Sequence, residues 1–193
     1  MLRPLDVFVI CWLGFAVSWI AAALWRSRPT RTLSGPKVWA YRAPLLAGLV
    51  LLNYRTSLAL HAPRLWHVGW TGGYVLALLT LPGFAFAWWA RLHLGRLWSG
   101  AVTLKPDHRV VDTGPYRIVR HPIYTGILFA CLVSMIAGAT WVSIAGLACV
   151  AVGFWFKARL EEGLLEQELG VGNYQAYRAR VPMLMPFGPV GGD

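Results

Sequence analysis

Acidic residues are scarce in this chain. Asp and Glu number 8 in 193 residues, and charged residues of both signs make up only 13%. A soluble domain carries about 25% charged residues, so an ordinary water-soluble globule is excluded. Cysteine is sparse as well. Cys11, Cys131 and Cys149 each lie inside an apolar stretch. Their spacing matches neither a zinc site nor a redox pair, and they read as small buried hydrophobes. There is no internal repeat, no low-complexity tract, no inter-domain linker and no Gly-x-Gly-x-x-Gly dinucleotide fingerprint. Only the tail from Gly188 to Asp193 reads as loose.

What is abundant is apolar and aromatic. Hydrophobic residues make up 57% of the chain, with 11 Trp and 7 Tyr, and the mean hydropathy is +0.52. Tyr and Trp at this density suit aromatic belts at a lipid–water boundary. The net charge is +10, which in a soluble chain would suggest a nucleic-acid partner. Here Lys and Arg flank apolar runs and no nucleic-acid module is visible. The expected partner is the bilayer, with no nucleic acid.

A membrane-crossing helix needs about 20 mostly apolar residues. Leu5 to Trp25 qualifies. Its apolar run exceeds a signal-peptide core and its upstream charge is only Arg3 beside Asp6, so a retained helix is expected. Ala43 to Leu60 is a second, weaker span, with Arg55 near an end from which it can snorkel. Val68 to Ala90 is the third, with Gly72, Gly73 and Gly83 for close helix approach and Pro82 for a kink. Ile123 to Ala137 and Trp141 to Phe156 are short runs separated only by Gly138-Ala139-Thr140, which predicts a helical hairpin. The expected fold is therefore all-α: a single polytopic membrane domain, 1–193, of about five transmembrane helices. Residues 1–100 form three N-terminal spans, 101–186 a functional region, and the last two helices a hairpin with a helical segment beyond it.

Every Lys and Arg except Arg3, Arg55 and Arg64 falls on one side of such a five-span chain. The positive-inside rule then places the N-terminus outside and the C-terminus in the cytosol, in what reads as a bacterial inner membrane. Two polar segments meet on that cytosolic side. One is Gly114-Pro115-Tyr116-Arg117-Ile118-Val119-Arg120-His121-Pro122-Ile123-Tyr124-Thr125-Gly126. The other is Lys157-Ala158-Arg159-Leu160-Glu161-Glu162, in which Leu160, Leu164 and Leu165 recur at helical spacing. The fifth helix is thus expected to continue past the membrane.

Each of these residues also has a structural reading. Lys157 and Glu161 are i,i+4 neighbours, a pair common on solvated helix faces. His121 before Pro122 suits a turn that bonds its own backbone. Tyr116, Tyr124, Tyr174 and Tyr177 suit interfacial anchors. His61, His67 and His93 are scattered, which argues against haem or metal ligation. The small residues of the hairpin, among them Gly126, Ser134 and Gly146, either pack helices tightly or leave a groove for a lipid chain.

Taken together, Gly-Pro-Tyr, Arg-His-Pro-x-Tyr-x-Gly, a helical hairpin, Lys157…Glu161-Glu162 and Arg180-Val181-Pro182 resemble the isoprenylcysteine carboxyl methyltransferase family, in a short bacterial or archaeal form. The resemblance runs from Lys105 to Pro186. Similar C-terminal regions occur in phospholipid methyltransferases and, more loosely, in membrane sterol reductases.

The resemblance implies S-adenosylmethionine as methyl donor and a lipophilic acceptor. By position it implies cofactor contacts at His108, Arg109, Val110, Val111, Tyr116, Arg120, His121, Pro122, Ile123, Tyr124, Glu161 and Glu162. Lys157 stands where eukaryotic members have an arginine proposed to hold the substrate carboxylate. Lysine keeps the charge but loses the two-pronged grip, and Arg159 is a competing candidate. The segment Gly170 to Tyr174 is one residue longer than the family pattern.

Residue chemistry is compatible with these roles. Glu161 can meet the cofactor's ammonium. Arg120 or backbone N–H groups at a helix start can meet its carboxylate. Tyr116 and Tyr124 can face the sulfonium. A carboxylate acceptor is ionised at pH 7 and needs no base, whereas a thiol or amine acceptor can use His121. The expected activity is carboxyl O-methylation of an isoprenylcysteine-like group. Phospholipid N-methylation, thiol S-methylation, an NADPH-dependent membrane reductase and a non-enzymatic assembly subunit are the alternatives.

Overall fold

The computed structural model describes residues 2–23, 31–32, 35–53, 62–95, 98, 103–104, 110–169 and 171–190. Among the described residues six helices dominate: α1 (Pro4–Ala23), α2 (Pro36–Leu52), α3 (Trp70–Leu94), α4 (Pro122–Gly138), α5 (Trp141–Leu169) and α6 (Val171–Arg178). A two-residue antiparallel ribbon pairs β1 (Arg31–Thr32) with β2 (Thr103–Leu104). A 3-10 turn, Gly114–Arg117, precedes α4.

Helices α1, α3 and α5 are long and apolar enough to cross a bilayer. Helices α2 and α4 have 17 residues each, or about 26 Å at 1.5 Å per residue, slightly short of a hydrocarbon core of about 30 Å. Exposed tryptophans mark two levels on the bundle. Trp66, Trp70 and Trp141 lie at one end, and Trp39, Trp89 and Trp155 towards the other. Along α3, Trp70 and Trp89 are about 28 Å apart by helical rise, matching two interfacial girdles.

The second span starts earlier than hydropathy suggested. Helix α2 begins at Pro36, because proline is tolerated at a helix's first turn, and its described course ends at Leu52. The remainder of the expected span, 54–60, lies outside the described residues. Helix α3 runs through Pro82 without a break.

The most extensive helix contacts do not simply follow chain order. Helix α2 makes its most extensive contact with α5, and α3 with α4, while α1 lies on α3. Close approach at glycine makes these crossings possible. A Cβ built on Gly83 would sit 2.6 Å from the Gly126 carbonyl oxygen, and one on Gly48 would sit 2.8 Å from the Gly146 carbonyl oxygen. The hairpin turn is made by Ala139 in the left-handed region (φ 55°) and by a reciprocal cap. Thr140 N donates to Ser143 Oγ and Ser143 N to Thr140 Oγ1, both at 3.1 Å.

Alternation of direction follows. The start of α1 touches the start of α3 through Pro4 and Gly73, and Trp66 Nε1 donates to the Ile136 carbonyl at the hairpin end (2.9 Å). The opposite end of the bundle therefore holds the end of α3, the start of α2, the 114–121 segment, the second half of α5 and α6. Both polar segments singled out above lie there.

Candidate functional site

The site forms where three stretches of chain meet. Pro122 opens α4, so His121 and Tyr124 project from its first turn. Helix α5 continues for 29 residues and brings Lys157, Glu161 and Glu162 alongside. The segment after α6 closes over them as a strap. Arg120 N donates to the Pro182 carbonyl (2.9 Å) and His121 N to the Met183 carbonyl (3.1 Å). Thr125 Oγ1 adds a bond to the Leu184 carbonyl (2.7 Å).

Adjacent carboxylates diverge because successive helix positions point about 100° apart. Glu162 turns inward. Its side chain is 3% exposed and meets Arg120 Nε at 2.7 Å, Arg120 Nη2 at 3.5 Å and His121 Nε2 at 3.0 Å. Arg120 spends its remaining donor group on main chain, with Nη1 reaching the carbonyls of Arg178 (3.1 Å) and Val181 (2.6 Å). This arrangement ties α5, the start of α4 and the strap together. It leaves neither Arg120 nor Glu162 well placed for a ligand.

Glu161 turns the other way, and its side chain is 21% exposed. Tyr124 Oη lies 2.7 Å from one carboxylate oxygen and 2.6 Å from the other, and donates to them. His121 Nδ1 is 3.7 Å from Glu161 Oε2, and Lys157 Nζ is 3.7 Å from Oε1. The rings of His121 and Tyr124 stack at 5.3 Å, and Tyr124 stacks on Phe154 at 4.7 Å. Lys157 Nζ lies 5.0 Å from the Tyr124 ring centroid and 5.9 Å from that of Tyr41. Glu161 is thus held in place, yet keeps an open edge.

The other expected residues divide. Tyr116 is buried in the 3-10 turn, and its main-chain carbonyl accepts from Tyr177 Oη at 2.7 Å. Burial holds the phenols of Tyr116, Tyr174 and Tyr177 well above their ordinary pKa, so they act as neutral groups. Tyr174 and Tyr177 are core residues packed with Val181, not interfacial anchors. Pro122 and Ile123 are buried under the site. Val111 packs against the main core and Val110 against the Tyr174 cluster. His108 and Arg109 lie outside the described residues. Arg159 does not join the cluster, since its guanidinium lies 5.8 Å from the Trp155 ring.

Sequence reasoning missed Tyr41, Phe154 and the strap residues Met183 and Leu184. The last two pack against the same core as Tyr124. None carries a motif. The one available signal was aromatic character on helices that end near the polar face.

Comparison with known proteins agrees with the motif reading. Residues 75–167 match the model of the isoprenylcysteine carboxyl methyltransferase family. A protein-S-isoprenylcysteine O-methyltransferase B of Arabidopsis thaliana is 27% identical over 136 residues, covering 59% of this chain and 68% of the relative. A methanethiol S-methyltransferase 2 of Bradyrhizobium diazoefficiens is 42% identical over 73 residues, covering 37% of this chain and 26% of the relative. The chain therefore spans about two thirds of the first and a quarter of the second.

Proposed function

Because the chain belongs to the isoprenylcysteine carboxyl methyltransferase family through residues 75–167 and is a membrane methyltransferase, we propose that it uses S-adenosylmethionine to methylate a carboxylate on a lipophilic, isoprenylcysteine-like acceptor. The observation that carries this reading is the divergence of two neighbouring carboxylates. Glu162 is sealed inside (3% exposed) while Glu161 is held open (21% exposed) beside the Lys157 ammonium. An open carboxylate fits the cofactor's ammonium, and a cation next to it fits an anionic acceptor.

When bound, S-adenosylmethionine would supply an electrophilic methyl group, with a neutral thioether as the leaving group. The protein's task is to hold an acceptor oxygen in line with that methyl, and alignment of this kind accounts for much of such a rate. Tyr124 fixes Glu161 through both oxygens. Phe154 backs the Tyr124 ring. Lys157 is assigned to the acceptor's negative charge. The acceptor carboxylate is ionised at pH 7, so no proton has to be removed.

A thiol acceptor needs a base, and there His121 is the candidate: Glu162 engages its Nε2 at 3.0 Å, which leaves Nδ1 on the side of Glu161. The distribution of Lys and Arg supports a cytosolic location for this face, with the N-terminus outside.

Calorimetry of the detergent-purified protein with S-adenosylmethionine tests the cofactor. Incubation with methyl-labelled cofactor and N-acetyl-S-farnesylcysteine tests the acceptor. Mild base releases the label as methanol from an ester but not from a thioether or amine. Label resistant to base, or no transfer to this acceptor while a thiol is methylated, would replace the carboxylate reading.

A further inference from the structure

Helices α2 and α5 meet in a regular antiparallel register. Leu52 lies against Gly146, Gly48 against Val150 and Leu45 against Gly153. Val38 packs in one cluster with Leu160. Each step of three or four residues back along α2 matches an equal step forward along α5. Between the Leu45–Gly153 and Val38–Leu160 levels, the same ladder brings Tyr41 to Lys157. Tyr41 is 4% exposed and Lys157 7%, and the ammonium lies 5.9 Å from the Tyr41 ring centroid. The Tyr124 ring centroid lies 5.0 Å from the same ammonium, with Glu161 Oε1 at 3.7 Å.

Tyr41 lies outside the stretch that matches the family model, which begins at residue 75. We propose that Tyr41 is a positioning residue: its ring holds the Lys157 ammonium against Tyr124, above the open edge of Glu161. A lysine stem has four rotatable carbons and a compact charge, so a lone ammonium is poorly aimed. Two aromatic faces attract it electrostatically, more strongly once water is removed. The close approaches at Gly48 and Gly153 set the helix spacing that lets the Tyr41 ring reach. A lysine in place of a planar guanidinium thereby gains a fixed direction from the N-terminal half of the chain. That this direction serves the acceptor rests on the function proposed above.

The test reads Lys157 directly and does not depend on turnover. Detergent-purified protein is treated with a limiting water-soluble N-hydroxysuccinimide ester, and acylation of Lys157 is timed by peptide mass spectrometry. Tyr41→Phe, which keeps the ring, should match the parent protein. Tyr41→Leu and Tyr41→Met should each raise the Lys157 acylation rate on the order of ten-fold, the equivalent of losing one desolvated cation–π contact. Leu52→Ala loosens the same helix pair at the Gly146 level, far along α2 from the ring, and should leave the rate unchanged. A parental rate in both Tyr41→Leu and Tyr41→Met, or an equal rise in Leu52→Ala, overturns the proposal. The KM for N-acetyl-S-farnesylcysteine is measured on the same variants. A faster Lys157 with an unchanged acceptor KM would uphold the positioning by Tyr41 and remove the acceptor role of Lys157.

Discussion

Arg120 and Glu162 face each other through two nitrogens and two oxygens, with Nε 2.7 Å from Oε1 and Nη2 3.5 Å from Oε2. Both side chains are 3% exposed. Removing one member of such a pair strands a buried charge and costs about 3–5 kcal/mol, whereas replacing both by apolar groups is far less costly. Arg120→Leu is therefore expected to lower the thermal unfolding midpoint in detergent strongly. Arg120→Leu/Glu162→Leu should recover part of the loss. Recovery is incomplete because Arg120 also holds the carbonyls of Arg178 and Val181. A double variant no better than the single would show that those carbonyl bonds dominate.

Tyr124 has a different task, because its hydroxyl reaches the open carboxylate and not the sealed one. A hydrogen bond to a charged group contributes about 1.5–3 kcal/mol. Tyr124→Phe keeps the ring stacked on Phe154 but frees Glu161 to rotate. Its affinity for S-adenosylmethionine, measured by calorimetry, should fall about ten-fold or more. Glu161→Ala should fall further, with little change in thermal stability. Equal affinities in all three proteins would move the cofactor away from Glu161.

Orientation can be checked independently of chemistry. The end of the bundle that carries the 114–121 segment also carries most of the Lys and Arg among the described residues, so reporter fusions should find the N-terminus outside and the C-terminus in the cytosol. Finding both termini on one side would be incompatible with five crossings.

Much of this arrangement was legible in the chain itself. The hairpin could be read from Gly138-Ala139-Thr140 between two apolar runs, because so short a link permits little else. The meeting of His121 with Glu161 followed from that hairpin, since both flank it at equal depth. The role of Arg120 was not legible. An arginine beside a ligand-binding motif looks like an anion contact, and only the fold reveals the carboxylate and the two carbonyls already bound to it. Tyr41 was equally hidden. It precedes Lys157 by more than a hundred positions, and hydropathy says nothing about which spans pair. The start of α2 was misjudged because Lys37 and Arg42 broke the apolar run, while Pro36 at the first turn is a helix start that charge cannot cancel.

Lys157 and Arg159 give a clean contrast, because the structure separates two cations that sequence left equivalent. Lys157 is enclosed by Tyr41, Tyr124 and Glu161, while Arg159 lies against Trp155. Lys157→Met should raise the acceptor KM about ten-fold or more, in line with losing a charge-assisted contact, and leave cofactor affinity within about two-fold, a change of roughly 0.4 kcal/mol. Arg159→Met should leave both near the parent values. If Arg159→Met produced the KM effect and Lys157→Met did not, the acceptor would approach from the Trp155 side of α5.

Gly126 decides between the two readings of the small-residue stripe. A Cβ there would come within 2.9 Å of Ala87 N and 3.1 Å of Ala87 Cβ on α3, and a Cβ on Gly83 would meet the Gly126 carbonyl oxygen at 2.6 Å. Backbone atoms cannot give way as a flexible side chain does. Gly126 therefore holds the α3–α4 crossing and leaves no groove for a lipid chain at that level. Gly126→Leu should force the two helices apart and lower thermal stability by about 1–3 kcal/mol or more, the usual range for overpacking. Activity should then fall equally with farnesyl acceptors and with short-chain analogues, because the damage reaches the site through α4 and not through a blocked channel. A selective loss with the long-chain acceptor alone would mean that lipid does pass between α3 and α4, and that the tight crossing opens during turnover.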